Sequence, residues 1–141
     1  MNMPGPRIQG VVETCIYSSD LPRSVHFYRD RLGLRLLQSM DRLCAFAVGD
    51  HQLLLIFLYG GSVEPVQLPG GIIPPHDGSG QSHFAFAISK QDFPAWREQL
   101  QAKGIPIESE VDWPTGGKSL YFRDPDQNLV ELATPGIWEV Y

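Results

Sequence analysis

Apolar and polar residues alternate along this chain, give way to a helical spacing, and alternate again, and the sequence does this twice. In "VVETCIYSSDLPRSVHFYRDRLG" (residues 11–33), Val11, Glu13, Cys15 and Tyr17 share one strand face, and Val12, Thr14 and Ile16 share the other. Asp20 then reads as a helix N-cap, and Pro22 is tolerated in the first turn. Val25, Tyr28 and Leu32 repeat at i, i+3, i+7, and Gly33 is a helix stop. Three strand-like runs follow, near residues 34–40, 43–48 and 52–58, with "VGDHQ" turning between the last two.

The second half repeats the order. "SHFAFAIS" (residues 82–89) alternates sharply. "KQDFPAWREQLQAKG" (residues 90–104) predicts a helix with Asp92 as cap, Phe93, Trp96 and Leu100 as apolar stripe, and Gly104 as stop. Strands are expected near residues 107–113, 119–123 and 128–133, the last two joined by "RDPDQN". Gly33 lies 20 positions after Glu13, and Gly104 lies 21 after His83. The pattern therefore predicts two copies of one βαβββ unit. The Gly/Pro-rich connection between them, residues 60–80, has the length of a linker or a functional loop.

Aligning the copies sets Glu13 opposite His83, Phe46 opposite Phe122, Asp50 opposite Asp126, and Leu55 opposite Glu131. His83 shares its face with Ala85 and Ala87; Glu131 shares its face with Leu129 and Ala133; Phe84, Phe86, Val130 and Leu132 point away. Bulky faces would pack under helices, and polar faces with small neighbours would line a cavity. Glu13, His83 and Glu131 are thus three candidate metal ligands converging on it. The structural alternative for His83 is a hydrogen-bonded core histidine. A buried carboxylate without a partner is costly, so Glu13 calls for a partner, solvent or a cation.

Composition narrows the classes. The chain has 141 residues, 43% hydrophobic and 19% charged, which suits a folded domain rather than a disordered one. A net charge of −5 without a Lys/Arg run argues against a nucleic-acid partner. The longest apolar run, "LLLIFLY", is too short to span a bilayer, and "MNMPGPRI" lacks the charged start and apolar stretch of a signal peptide. Two cysteines, Cys15 and Cys44, read as reduced thiols, so a cytoplasmic location is expected.

The stretches "SSDLPRSVHFYRDRLGL", "SHFAFAIS" and "YFRDPDQNLVEL", in that order, resemble the vicinal oxygen chelate superfamily of glyoxalases, extradiol dioxygenases, thiol transferases and bleomycin-resistance proteins. The resemblance covers residues 8 to about 134. It implies an α+β fold of two tandem βαβββ units whose curved mixed sheets form a cup-shaped cavity. Unit one would span 8–59, the linker 60–80, unit two 81–134, and a tail 135–141. It also implies a divalent metal (Mn, Fe, Ni, Zn or Mg) held by Glu13, His83 and Glu131. Leu55 stands where glyoxalase I-like enzymes add a carboxylate, and Glu13 stands where dioxygenases and fosfomycin enzymes have histidine. One histidine with two carboxylates is a hard, anionic set.

The expected function is a metal-dependent glyoxalase- or dioxygenase-like enzyme acting on a small oxygen-rich substrate. A metal-free small-molecule or drug-binding cup is the alternative. Glu13 and Tyr121 are the candidate catalytic groups, and Lys118, His76 and Arg42 the candidate substrate contacts. Strand packing is the alternative for Tyr121, a solvated charge for Lys118 and Arg42, and an exposed loop residue for His76. Cys15 would line the pocket or be inertly buried; Trp113, Trp138 and Tyr141 would pack. A homodimer is expected, with ligands drawn from one chain or shared across two.

Overall fold

The computed structural model describes residues 5–141. Its elements follow the predicted order. Unit one contains β1 (Glu13–Ser18), α1 (Leu21–Val25) continuing into a π-helical segment (His26–Arg31), β2 (Arg35–Ser39), β3 (Leu43–Val48) and β4 (Gln52–Leu58). A hairpin, β5 (Val66–Leu68) and β6 (Gly71–Ile73), lies in the connection. Unit two contains β7 (His83–Ala87), α2 (Phe93–Ala102), β8 (Ser109–Asp112), β9 (Lys118–Arg123) and β10 (Leu129–Ala133).

Each unit closes its own curved four-stranded sheet, ordered β1-β4-β3-β2 and β7-β10-β9-β8. The first strand lies parallel to the last in both, and the other pairs are antiparallel. The registers repeat as well. Leu55 pairs with Cys15, two residues after Glu13; Glu131 pairs with Ala85, two residues after His83. Phe46 and Phe122 are both fully buried, at equivalent places under the helices.

The units share one core. Phe27, Tyr28, Phe46, Leu100, Leu120 and Phe122 belong to a single buried cluster. Two aspartates of the β9–β10 turn tie unit two to unit one. The Tyr28 hydroxyl donates to Asp124 Oδ2 at 2.7 Å. Asp126 accepts from Ser18 Oγ (2.6 Å), Ser19 N (3.0 Å), Ser19 Oγ (2.9 Å) and Arg23 Nη2 (3.1 Å). Gln127 completes the turn at φ 68°.

Several local expectations need correction. The first helix is not α-helical throughout: Leu32 N donates to Phe27 O, five residues back, at 3.0 Å. The widened turn brings the adjacent rings of Phe27 and Tyr28 toward the same core, where both are buried. Asp20 does cap α1, accepting from Arg23 N at 3.1 Å, whereas the Asp92 side chain makes no capping bond. The connection is no bare linker, since its hairpin pairs Val66 with Ile73. Three-residue strands are too short to register as alternation. Trp138 does not pack; it is 72% exposed. Among the described residues no helix is long and apolar enough to cross a membrane.

Candidate functional site

Strand parity divides the candidate residues between two places. On unit two, β10 sits between β7 and β9, so Glu131 is flanked by Ala85 and Tyr121. From this central strand its Oε1 lies 3.3 Å from His83 Nε2. The other ring nitrogen, His83 Nδ1, is 2.9 Å from the Leu129 carbonyl oxygen. A carbonyl only accepts, so Nδ1 donates to it, and Nε2 is the nitrogen that faces the Glu131 carboxylate. That contact is satisfied by a proton or a cation between them.

A divalent cation fits this donor set. An imidazole nitrogen and a carboxylate oxygen, here 3.3 Å apart, are both common ligands of such an ion. A carbonyl partner on the far nitrogen is the usual support of a metal-binding histidine. Glu131 is supported too: Ser119 Oγ donates to its Oε2 at 2.5 Å. Ser119 in turn accepts from Trp113 Nε1 at 2.8 Å. Trp113, partly buried, therefore orients the hydroxyl that orients the carboxylate. Tyr121 faces the same side as Ser119. Partial burial, and then the Glu131 charge, push its phenol above the ordinary range, so it is a neutral O–H donor near pH 7.

Lys118 stands elsewhere. It is an odd number of residues from Tyr121 and so lies on the helix side of β9. Its ammonium pairs with Asp112 at 2.8 Å and sits 5.7 Å from the centre of the Phe93 ring.

Unit one carries the other set. Glu13 and Cys15 are exposed on β1 and line a cavity of about 530 Å3 together with Tyr17, Arg42 and His76. Its floor is Leu55 and Phe57 of β4. His76 is held by two contacts: Nδ1 is 2.8 Å from the Tyr17 hydroxyl, and the ring meets Phe57 edge-on at 4.5 Å. Gly78 permits this arrangement, because a Cβ there would lie 2.4 Å from Tyr17 Cε2. The Cys15 thiol is pushed up by burial and by Glu13, which disfavours a thiolate at neutral pH.

Glu13 is not beside the His83–Glu131 pair. Among the described residues no three His, Cys, Asp or Glu side chains come together as one ligand group. A single chain brings His83, Glu131 and Tyr121 together on one sheet, and Glu13, Arg42 and His76 around the cavity of unit one. Sequence reasoning missed Ser119, Ser62, Tyr17 and Phe57. Ser119 was accessible to it by parity with Tyr121; Ser62 lies in a loop that carries no such signal.

Two βαβββ units in tandem, each with its first strand beside its last and a histidine–carboxylate pair on the second sheet, define a paired-unit α+β class. Residues 10–132 match the Glyoxalase/Bleomycin resistance protein/Dioxygenase superfamily, and the chain belongs to it. A metallothiol transferase FosB from Staphylococcus haemolyticus is 30% identical over 128 residues, covering 90% of this chain and 84% of that protein. A glutathione transferase FosA from Serratia marcescens is 29% identical over 125 residues, covering 89% and 80%. The crystal structure of lactoylglutathione lyase from Agrobacterium tumefaciens superposes with a TM-score of 0.86 at 33% identity, covering 95% of this chain and 99% of that one.

Proposed function

We propose that the protein is a divalent-metal-dependent enzyme acting on a small oxygen-bearing substrate, with His83 and Glu131 as ligands from one chain and Glu13 as ligand from a second copy. The observation that carries this reading is His83 Nε2 facing Glu131 Oε1 at 3.3 Å, each residue fixed from behind, by Leu129 O and by Ser119. Burying a carboxylate this far, at 9% residue exposure, is costly without a compensating charge. The distribution of the residues supports sharing across a homodimer. The His83, Ala85 and Ala87 face of β7 is exposed, as is Glu13 on β1, and the two sheets of one chain do not bring them together. A two-fold partner would complete two equivalent sites.

When bound, the metal supplies Lewis acidity toward a substrate oxygen. The chain's own groups divide the remaining work. Tyr121, kept neutral, donates a hydrogen bond to an oxygen on the face it shares with Glu131. The cup above Leu55 and Phe57 excludes water from the substrate's carbon body. His76, oriented by Tyr17 and Phe57, stands at the cup wall where it can exchange a proton with solvent. The relatives' names, metallothiol transferase, glutathione transferase and lactoylglutathione lyase, favour a thiol or thiol adduct as one reactant. One His with two carboxylates favours Mn, Fe(II), Mg or Zn over softer ions, with Ni the remaining candidate.

The test is metal analysis of protein purified without chelator. Near-stoichiometric metal, lost in His83→Ala, Glu131→Ala and Glu13→Ala, is the expected result. A metal-free wild type that also takes up no Mn, Fe, Ni, Zn or Mg would overturn the reading. It would favour instead a metal-free binding cup, for which the 530 Å3 cavity on unit one is the supporting observation.

A further inference from the structure

The cavity on unit one contains two polar groups whose bonding is incomplete. Ser62 is 4% exposed, lines the cavity, and its hydroxyl has no hydrogen-bond partner. A buried hydroxyl left this way is destabilising. Arg42 is half-buried on the same wall. Among the described residues it forms no ion pair, and Nη1 reaches only the Gly61 carbonyl, at a long 3.3 Å. The two groups are held next to each other: Gly61 adjoins Ser62, and a Cβ on Gly61 would lie 3.6 Å from Arg42 Cβ.

The loop that carries Ser62 is built firmly. His76 N donates to the Ser62 carbonyl at 2.9 Å, and Gly60 N donates to Asp77 Oδ1 at 3.2 Å. The two ends of the connection are therefore clasped, and Val66 of β5 and Ile73 of β6 line the cavity along with Leu55 and Phe57. The site is a largely apolar slot whose polar lining comprises the Arg42 guanidinium, the unused Ser62 hydroxyl, Tyr17, His76 and the carboxylates Glu13 and Glu64. Its volume lies within the range of about 300–1,000 Å3 typical of small-molecule sites.

We propose that this slot binds the anionic end of the substrate, a carboxylate on an apolar carbon body, with Arg42 as its counter-ion and Ser62 as a second donor. The proposal deepens the reading of Glu13 as the metal-facing residue of the same cavity and rests on it for orientation. The carboxylate would be seated away from the metal and the reactive oxygen toward Glu13. A planar guanidinium matches a carboxylate through two parallel N–H donors, which the lone bond to Gly61 leaves available. The Ser62 hydroxyl, unpaired in the free protein, would gain its acceptor on binding.

Octanoate and 1-octanol, titrated by calorimetry into chelator-treated full-length protein, are the probes. Octanoate is expected to bind at least about tenfold more tightly than octanol. Arg42→Met should reduce octanoate to the level of octanol. Ser62→Ala should weaken octanoate about two- to tenfold while leaving the melting temperature of the free protein unchanged or raised, because it removes an unsatisfied group. Equal binding of the two probes to wild type, which requires no variant, would overturn the proposal. So would octanoate binding that appears only after metal loading or disappears in His83→Ala, since the carboxylate would then be seated on the metal. Octanoate binding to a protein that takes up no metal would support the slot and sink the metal reading, so the two failures are distinguishable.

Discussion

Ser119→Ala tests how the Glu131 carboxylate is held. Ser119 is fully buried; it donates to Glu131 Oε2 at 2.5 Å and accepts from Trp113 Nε1 at 2.8 Å. The substitution removes one oxygen atom and both bonds. A hydrogen bond to a charged group contributes about 1.5–3 kcal/mol, and the small polar remainder at Trp113 can reach solvent. Destabilisation of about 2 kcal/mol is expected, which for a domain of this size lowers the melting temperature by about 6 °C. The larger effect falls on the metal. An unsupported carboxylate must be ordered at binding, and losing such a partner typically lowers metal affinity about 10–100-fold. Thermal unfolding reads the first number, and a chelator-competition titration reads the second. Trp113→Phe is the milder companion: it removes the bond that orients Ser119 but leaves the hydroxyl to donate to Glu131, so affinity should fall less than in Ser119→Ala. Wild-type affinity and an unchanged melting temperature in Ser119→Ala would refute the claim that this hydroxyl positions Glu131.

Three further predictions concern the join between the units and the cup wall. Asp126→Ala should cost about 3 kcal/mol by denaturant unfolding at pH 7, because four bonds from unit one end on that carboxylate. Burial alone would raise its pKa, but the bonds from Ser18 and Ser19 and the Arg23 charge outweigh burial and hold it low. Its stabilisation is therefore present above the ordinary carboxylate range and lost as acid protonates it, so wild type and Asp126→Ala should converge below about pH 4. Tyr28→Phe should lose about 2 kcal/mol at pH 7 through the bond to Asp124. Burial, then Asp124, push the Tyr28 phenol well above its usual value, so wild type should lose stability as pH rises past about 10, and the variant should show a smaller drop. Gly78→Ala should displace the Tyr17 ring and cost about 1–3 kcal/mol, with weakened octanoate binding as the functional readout.

How much of this was legible beforehand depends on whether the signal was local. The βαβββ repeat, the faces of β1 and β7, and the equivalence of Phe46 with Phe122 follow from alternation and spacing, which are properties of short windows. Lys118 was expected among the substrate contacts, and its odd separation from Tyr121 on one strand puts the two on opposite faces. The widened turn at Phe27 and Tyr28 answers to Phe122 and Asp124, about a hundred positions away, and no local pattern encodes it. Ser62 and His76 lie in a connection where parity does not apply. Their meeting depends on how the hairpin folds back. The separation of Glu13 from His83 and Glu131 likewise belongs to the placement of two sheets, not to any one strand.

The most direct test of the central claim mixes two crippled chains. On the proposed reading Glu13→Gln and His83→Ala each remove a ligand, and a homodimer of either should bind no metal tightly. If each site is shared, a mixed dimer holds one site with every ligand intact. After subunit exchange, an equal mixture should therefore recover about a quarter of wild-type metal binding. Recovery at that level is the result expected here. No recovery, with subunit exchange verified by mass and both parents folded, would contradict the account.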